Sequence, residues 1–271
     1  APKFLGVKVV SFPFSRQNMN INVTKATELI LKKRPKAIVF GASLFLFPHP
    51  VRELSKVAQE IDAHVSYDGS HVLGLIAGKE YQDPLREGAS VLSGSTHKSF
   101  FGPQGGIILA DKEHGEGIKQ QIHPALVDNA HWNRIAALTL ALAEMKAFGK
   151  AYAKQIVNNS QALAKALAEA GLPVACSHLG HTRSHQVFLD YKGYKRGKTV
   201  AKRLEKANII ADCGVRLGVC EATRRGMKKK EMQQIANFIE RVLKLREKPS
   251  EVKKDVVKFA KEFQKIKYCF E

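Results

Sequence analysis

Ser43, Asp68 and Lys98 each stand at or just beyond the end of a short apolar run that predicts a β-strand. Ligands of open α/β sheets bind beyond the carboxyl ends of the strands, so we expect these three side chains to face one site. A lysine amine can form a Schiff base with an aldehyde, and a carboxylate can hold a proton on the nitrogen of an aromatic ring. The three residues therefore indicate a site for amine chemistry assisted by an acid and a hydroxyl.

Pyridoxal 5'-phosphate (PLP) is the cofactor that suits such a site. Its aldehyde reacts with an amine, and its ring becomes an electron sink when a carboxylate keeps the pyridine nitrogen protonated. The pairing of Asp68 with Lys98 is weak evidence on its own, because charged side chains usually lie on the surface. The interpretation needs support from the residues around them.

The elements that must position these side chains alternate between strands and helices. This alternation predicts an α/β fold with a mostly parallel sheet and helices on both faces. The predicted strands cover residues 7–11, 36–40, 64–67, 89–93 and 106–110, and the predicted helices between them cover residues 24–33 and 50–60.

One long helix, at about residues 130–170, leads to a smaller region with a different pattern. Predicted strands near residues 186–190 and 215–218, followed by two helices, indicate an α+β arrangement there. We therefore predict two domains, a large one at residues 1–165 that includes the long helix and a small one at residues 166–271.

Composition excludes several classes of protein. Of the 271 residues, 44% are hydrophobic, which supports packed cores and argues against global disorder. No apolar run reaches the roughly 18 residues that cross a bilayer, and the N-terminus has no signal-peptide pattern, so we expect a soluble cytoplasmic protein. The four cysteines have no common zinc spacing, so no metal site is expected.

The net charge of +19 raises the question of a nucleic-acid or membrane partner. Much of this charge lies in the C-terminal third, where lysines alternate with apolar residues at helical spacing, as they do around Val252 and Phe259. That pattern is typical of the solvated faces of amphipathic helices. We therefore expect neither nucleic acid nor a membrane as a partner.

Two motifs surround the acid and the lysine. Residues 93–99 read Ser-Gly-Ser-Thr-His-Lys-Ser and are followed by Gly-Pro-Gln-Gly-Gly at residues 102–106. Residues 67–71 read Tyr-Asp-Gly-Ser-His and are followed by Gly-Leu-Ile-Ala-Gly at residues 74–78. In this order they resemble the motifs of serine hydroxymethyltransferases, a family of fold-type-I PLP-dependent transferases.

The resemblance extends over nearly the whole chain. Gly41-x-Ser43 matches a Gly-x-Ser segment of the family, and residues 214–226 resemble its Gly-x-Arg-x-Gly…Thr-Arg-x-Gly signature. Pro103-Gln104 and the Phe-Pro-His-Pro sequence at residues 47–50 favour the archaeal members. The family's chains begin well before Ala1, so the resemblance implies a missing N-terminal part that carries the phosphate-binding turn.

The resemblance assigns cofactor-binding roles to five residues. Lys98 would hold PLP as a Schiff base, and Asp68 would pair with the pyridine nitrogen. His71 and Ser43 would lie near the ring oxygen O3′, and Ser95 would line the site beside the lysine.

Catalytic and substrate-binding roles follow from the same resemblance. Lys98, His71 and His97 would be the catalytic residues, and Arg216 would clamp the substrate carboxylate, which a guanidinium binds in a bidentate manner. The implied reaction is the reversible transfer of the serine hydroxymethyl group to a reduced pterin, either tetrahydrofolate or tetrahydromethanopterin, in one-carbon metabolism and glycine biosynthesis. Two alternatives stay open: a threonine aldolase-like PLP lyase, and a basic binding protein without a cofactor.

The resemblance also implies a homodimer with active sites at the subunit boundary. The apolar sequence at residues 100–103, Phe-Phe-Gly-Pro, supports this expectation, because such a patch is unlikely to stay exposed on a monomer. Twofold symmetry is also the commonest closed arrangement of subunits.

Overall fold

A computed structural model describes residues 6–271 of the chain. The elements that precede the long helix are β1 (Phe14–Ser15), β2 (Asn20–Ile21), α1 (Val23–Lys33), β3 (Ala37–Gly41), α2 (Val51–Glu60), β4 (His64–Asp68), α3 (Leu73–Ala77), β5 (Val91–His97), β6 (Phe101–Ala110) and α4 (Lys112–Ile122). The long helix and the elements after it are α5 (Trp132–Glu169), β7 (Gln186–Phe188), α6 (Tyr194–Glu205), β8 (Arg216–Gly218), α7 (Cys220–Arg224), α8 (Lys229–Leu243) and α9 (Pro249–Lys261).

The main sheet has four strands in the order β3-β4-β5-β6. The pairings of β3 with β4 and of β4 with β5 are parallel, and β6 returns antiparallel to β5. Gly41, Asp68 and Ser93 are neighbours across the three parallel strands. The predicted α/β fold with a mostly parallel sheet is confirmed.

One face of this sheet carries the core. Phe40, Tyr67 and Leu92 point to that face and are buried, and the helices α2, α3 and α5 contact the sheet. Burial of each such side chain contributes about 1.5–3 kcal/mol to folding. The opposite face is open at β3, where Val39 is 55% exposed, whereas α4 contacts β6. The expectation of helices on both faces stays a prediction.

The 38-residue helix α5 is the central support. It packs against β6, α3, α7 and α8. Gly78, which follows α3 directly, allows the two helices to approach closely, since a Cβ there would lie 2.5 Å from the carbonyl oxygen of Gly149 and 2.4 Å from Cβ of Ala153. Because α5 contacts elements on both sides of it in sequence, it joins the main sheet to the C-terminal region.

The C-terminal region contains a second, two-stranded sheet of β7 and β8. Phe188 pairs with Arg216 in this antiparallel ladder, and α8 packs against both α5 and α6. The predicted strands near residues 186–190 and 215–218 are thus confirmed with shorter bounds. The division into domains at residue 165 stays a prediction.

The predicted strand at residues 7–11 is wrong. These residues have no strand partner within residues 6–271, and the short antiparallel pair in this region is instead β1 with β2, where Phe14 faces Ile21. A strand needs a neighbouring strand for its backbone hydrogen bonds, and periodicity alone does not supply one.

Among the described residues, no helix is both long and apolar enough to cross a membrane.

The segment after β4 lies directly against the turn that carries Lys98. Gly74 N donates to Ser99 Oγ at 3.1 Å, and a Cβ on Gly74 would lie 2.1 Å from the carbonyl oxygen of Ser99. That distance is far below van der Waals contact, and the obstructing atom belongs to the backbone. Only glycine therefore fits at residue 74 with this placement of the turn.

We expect Gly74→Ala to lower the free energy of unfolding by about 2–3 kcal/mol, because the added methyl group must displace the backbone at Ser99. Gly115→Ala is the matched control, since a Cβ there meets nothing within 4 Å. Because Gly115 lies inside α4, this change should raise stability by about 0.5–1 kcal/mol. Urea unfolding followed by circular dichroism measures both values. Equal stability of Gly74→Ala and the parent chain would contradict the close approach.

Candidate functional site

Asp68 ends β4 on the open face of the sheet and is exposed. Its Oδ1 accepts a hydrogen bond from Ser70 N at 2.9 Å, and Ser70 Oγ in turn accepts from Ser95 N at 3.1 Å. Gly41 lies beside it with φ of +151°, and a Cβ on this residue would lie 2.7 Å from Cβ of Asp68. The carboxylate is thus held by the backbone, with an uncrowded flank.

Lys98 follows β5 directly and is exposed. The turn around it is braced on both sides: Thr96 Oγ1 donates to Pro103 O at 2.6 Å, and Gly105 N donates to His97 Nδ1 at 3.2 Å. The ladder between β5 and β6 also changes register between Ser95 and His97. Such irregularities re-aim side chains next to active sites. The turn holds the lysine at the carboxyl end of β5, next to the end of β4.

His71 lies among the charged residues of the site. Burial, with a smaller effect of the positive charges of Lys98 and Arg216, lowers the pKa of His71 to about 4, against the opposing effects of Asp68 and Asp212. The contacts of Gln186 with His71 and Ser43, and of Arg216 with Ser43, join His71 to Arg216. His71, Lys98, Asp68 and Arg216 therefore belong to one cluster, and His71 is neutral at pH 7.

Gln186 fixes the orientation of His71. Its Oε1 accepts a hydrogen bond from Phe45 N at 2.7 Å, so the other terminal atom of the side chain is the amide nitrogen Nε2. This nitrogen lies 3.1 Å from Ser43 O and 3.4 Å from His71 Nδ1. An amide nitrogen can only donate. Nδ1 of His71 therefore accepts, and the imidazole proton lies on Nε2.

Arg216, the first residue of β8, reaches the site from the C-terminal region. Its Nε lies 3.0 Å from Asp212 Oδ2, and its Nη1 donates to the carbonyl of Ser43. Asp212 also accepts from the backbone N–H of Gly214 and of Arg216 through Oδ1. The guanidinium is thus anchored at two atoms, and its remaining N–H groups stay available to an anion.

The predicted site residues fall into two groups. Asp68, His71, Lys98 and Arg216 come together, and Ser43 joins them through its carbonyl rather than through its hydroxyl. Ser95 lines a cavity of about 750 Å³ beside β5, β6 and the start of α5, and its backbone N–H is joined to Asp68 through Ser70. His97 contacts the neighbouring turn at Gly105. The catalytic role of His97 stays a prediction.

Sequence reasoning missed three residues of this site. Gln186 orients His71, Asp212 anchors Arg216, and His185 is buried in the same cluster, its ring parallel to that of His71 with the centroids 6.4 Å apart. The partners of Gln186 lie more than a hundred residues away along the chain. No local motif reports such contacts. The position of Asp212 four residues before Arg216 was the one available signal.

A scan against protein-family models gives the deciding observation. The model described as serine hydroxymethyltransferase matches residues 5–239. The chain belongs to the serine hydroxymethyltransferase family. Within the described residues, no cluster of three or more His, Cys, Asp or Glu side chains is arranged to hold a metal ion.

Curated members of this family are similar over almost the entire chain. The serine hydroxymethyltransferase of Methanocella arvoryzae is 49% identical over 98% of this chain, and that of Methanocaldococcus jannaschii is 48% identical over the same share. Both relatives are archaeal, as the motifs predicted. The chain spans 66% of the length of each of them.

A solved structure agrees with the fold. It is described as L-threonine transaldolase from Pseudomonas fluorescens in the internal aldimine state. It is 29% identical to this chain with a TM-score of 0.93, and the match covers 99% of this chain and 65% of the other. The fold is thus that of a PLP-dependent enzyme of fold type I.

The buried His185 predicts a pH dependence of stability. Burial lowers its pKa to about 3, with His71 and Arg216 contributing, and its Nδ1 has no partner. The unfolded chain therefore binds a proton below about pH 6.5 that the folded chain does not bind, so stability is lost as the pH falls.

We expect the parent chain to lose about 2 kcal/mol more free energy of unfolding between about pH 7 and pH 5 than His185→Gln loses. Urea unfolding at a series of pH values measures this difference. His131→Gln is the control, because His131 is exposed, and it should follow the parent chain. Parallel pH curves for the parent chain and His185→Gln would disprove the buried neutral state.

Proposed function

We propose that the full-length protein uses PLP to transfer the hydroxymethyl group of serine to a reduced pterin, with glycine as the other product. The observation that carries the proposal is the cluster of Asp68, His71, Lys98 and Arg216, in which each residue lies in a motif that resembles the family's. Tetrahydrofolate and tetrahydromethanopterin are both candidate acceptors, and a cytoplasmic location is part of the same proposal.

The residues present fit PLP. Asp68 offers a carboxylate with one oxygen that has no hydrogen-bond partner among residues 6–271, and the amine of Lys98 is likewise unpaired there. A Cβ at Gly41 would fill the space beside Asp68. An acid and a primary amine at neighbouring strand ends, with an open flank between solvent and sheet, match the ring nitrogen and the aldehyde of this cofactor.

When bound, PLP supplies an electron sink that stabilises negative charge on the α-carbon of the amino acid. Lys98 would hold the cofactor covalently through its amine. Asp68 would keep a proton on the ring nitrogen, and the hydrogen bond from Ser70 N keeps its carboxylate in place for this role. Both residues act from strand ends that the parallel sheet holds side by side.

His71 would act as a neutral hydrogen-bond donor. Its low pKa keeps the ring uncharged at pH 7, and the contact with Gln186 leaves the proton on Nε2. A neutral imidazole can donate this proton to a ring oxygen or to the substrate hydroxyl without adding positive charge beside Lys98.

Arg216 would bind the carboxylate of the amino acid. A guanidinium matches a carboxylate in geometry and charge, and the contacts with Asp212 and Ser43 fix its plane before substrate arrives. Asp212 also offsets part of the positive charge. The clamp would therefore orient the substrate and leave its binding reversible.

A threonine-cleaving activity is the second candidate, because the structural neighbour with TM-score 0.93 is described as an L-threonine transaldolase. The identities of 48–49% to serine hydroxymethyltransferases, against 29% to that neighbour, favour hydroxymethyl transfer. A basic binding protein without a cofactor is disfavoured, since binding by positive charge alone does not require Asp68, His71, Lys98 and Arg216 to lie together.

The function is tested on the full-length protein. We expect an absorbance band of bound PLP and serine cleavage that requires the pterin, and Lys98→Ala should abolish the band and lower turnover at least about 1000-fold, because the covalent attachment is lost. The exposed Lys112→Ala is the control and should retain both. Pterin-independent cleavage of threonine would favour the second candidate. A band that survives in Lys98→Ala would refute the assignment.

We also propose a homodimer, but on a surface other than the one expected. Phe100 is buried, and Phe101 packs against Tyr152, so the sequence at residues 100–103 is not an exposed patch. A group of exposed apolar side chains lies instead around the 750 Å³ cavity: Leu126, Val127 and Ile135 line it, and Trp132 and Leu140 lie on the same helix as Ile135. Large patches of this kind mark interfaces.

We expect the full-length protein to sediment as a dimer at concentrations on the order of micromolar. Replacement of Trp132 and Ile135 by Asp should shift it towards monomer, because two charges would be desolvated in the interface. Asp in place of the exposed Ile210, remote from this surface in sequence and 80% exposed, is the control. An active species of monomer mass with PLP bound would contradict the dimer.

A further inference from the structure

The residues Lys267–Phe270, here called the C-terminal strap, lie against the turn that ends α7. Lys267 N donates to Arg224 O at 2.7 Å, and Arg224 Nη1 donates to the carbonyl of Tyr268. Phe270 N lies 3.3 Å from Glu144 Oε1 on α5. Backbone groups of the strap thus form hydrogen bonds with Arg224 at the end of α7 and with the side chain of Glu144 on α5. It lies beyond residue 239, where the match to the family model ends.

Arg224 connects the strap to the main sheet. Its Nη2 donates to Glu144 Oε2 at 2.7 Å, and the side chains of this ion pair are only 16% and 11% exposed. Its guanidinium carbon also lies 3.7 Å from the centroid of the Phe101 ring. A desolvated guanidinium binds strongly to both a carboxylate and an aromatic face, and the loss of one partner leaves the other charge buried and unpaired.

Phe101 is the third residue after Lys98 and begins β6. Its ring packs edge-to-face on Tyr152 with centroids 5.0 Å apart, and Tyr152 packs on Tyr268 of the strap at 5.4 Å. Two routes therefore join the strap to Phe101, one through Arg224 and one through Tyr152.

The turn of Lys98 is held at both ends. Gly74 packs against Ser99 on one side, and Phe101 is covered by Arg224 on the other. The Lys98 side chain is exposed and has no partner among the described residues, so only the backbone of this turn sets the point from which the side chain extends. A residue that fixes Phe101 therefore also fixes the lysine.

We propose that Arg224 is a positioning residue: together with the C-terminal strap it holds Phe101, and so sets the placement of the Lys98 amine. The mechanical coupling is a property of the chain, whereas its consequence for the cofactor rests on the proposed function. The coupling also gives the strap, more than 160 residues from Lys98 in sequence, a direct effect on the site.

Two changes to the full-length protein test the proposal. Arg224→Lys keeps the charge but lacks the planar group that spans Glu144, Tyr268 and Phe101. A chain that ends at Lys267 removes Tyr268–Glu271 and leaves Arg224 in place. Arg241→Lys is the matched control, because Arg241 also pairs with two carboxylates, Glu247 and Asp255, and lies 5.8 Å from the ring of Phe238.

Hydrogen exchange of residues 98–104 without PLP is the first readout, and the dissociation rate of PLP is the second. We expect both changes to speed exchange and PLP release by about tenfold. Arg224→Lys loses the desolvated guanidinium contact with Phe101 and the geometry of the ion pair with Glu144. The shorter chain loses the contacts of Tyr268 with Arg224 and Tyr152. The KM for serine should stay within about twofold, since Arg216 is untouched. Arg241→Lys should leave all three values unchanged.

Unchanged exchange at residues 98–104 in either altered chain would overturn the proposal, even if the strap itself exchanges faster. If Arg224→Lys does not fold, the chain ending at Lys267 decides the outcome. A protein that binds no PLP at all would refute the proposed function, and exchange in the cofactor-free protein would still decide the coupling.

Discussion

The in-register parallel pairing of β3, β4 and β5 is the constraint on which the site depends. It places Gly41, Asp68 and Ser93 side by side at one end of the sheet, and Lys98 lies five residues after Ser93. A shift of one residue in β4 would turn Asp68 towards the buried face, since side chains alternate along a strand. The core residues Phe40, Tyr67 and Leu92 prevent such a shift, because it would expose them to water. Packing of the core therefore enforces the geometry of the site.

Electrostatic interactions then set the charge state of the residues that the sheet brings together. Lys98 and Arg216 bring two positive charges near His71, and together with burial they keep this imidazole neutral. Asp212 offsets part of the charge of Arg216 and anchors it at the same time. The fully buried His185 adds a second neutral ring behind the first. The cluster therefore combines a fixed cation, a neutral donor and an acid, which is the set that amino-acid chemistry on a pyridine ring requires.

Local sequence was sufficient to predict the residues that carry chemistry and most of the elements. Asp68 and Lys98 lie in short motifs at strand ends, and helices such as α1 and α2 match the predicted ranges within a residue or two. Long-range contacts were beyond such reasoning. The partners of Gln186 and the pairing of Glu144 with Arg224 join residues 80 or more positions apart.

Errors in strand bounds have the same origin. β5 continues to His97 through the polar sequence Ser-Thr-His, because β6 begins at Phe101 and pairs with it across the lysine turn. For residues 7–11 the described part of the chain offers no such partner, and no strand forms. The burial of Phe100 also depended on packing that hydrophobicity cannot distinguish from an exposed interface patch.

The central claim is that Lys98 is the residue that holds the cofactor at the end of this sheet. Borohydride reduction of the full-length protein loaded with PLP, followed by peptide mapping, tests it most directly, because reduction makes the link between lysine and cofactor permanent. The account predicts that a single peptide, the one containing Lys98, carries the phosphopyridoxyl group. Labelling of a different lysine, or of none, would contradict it.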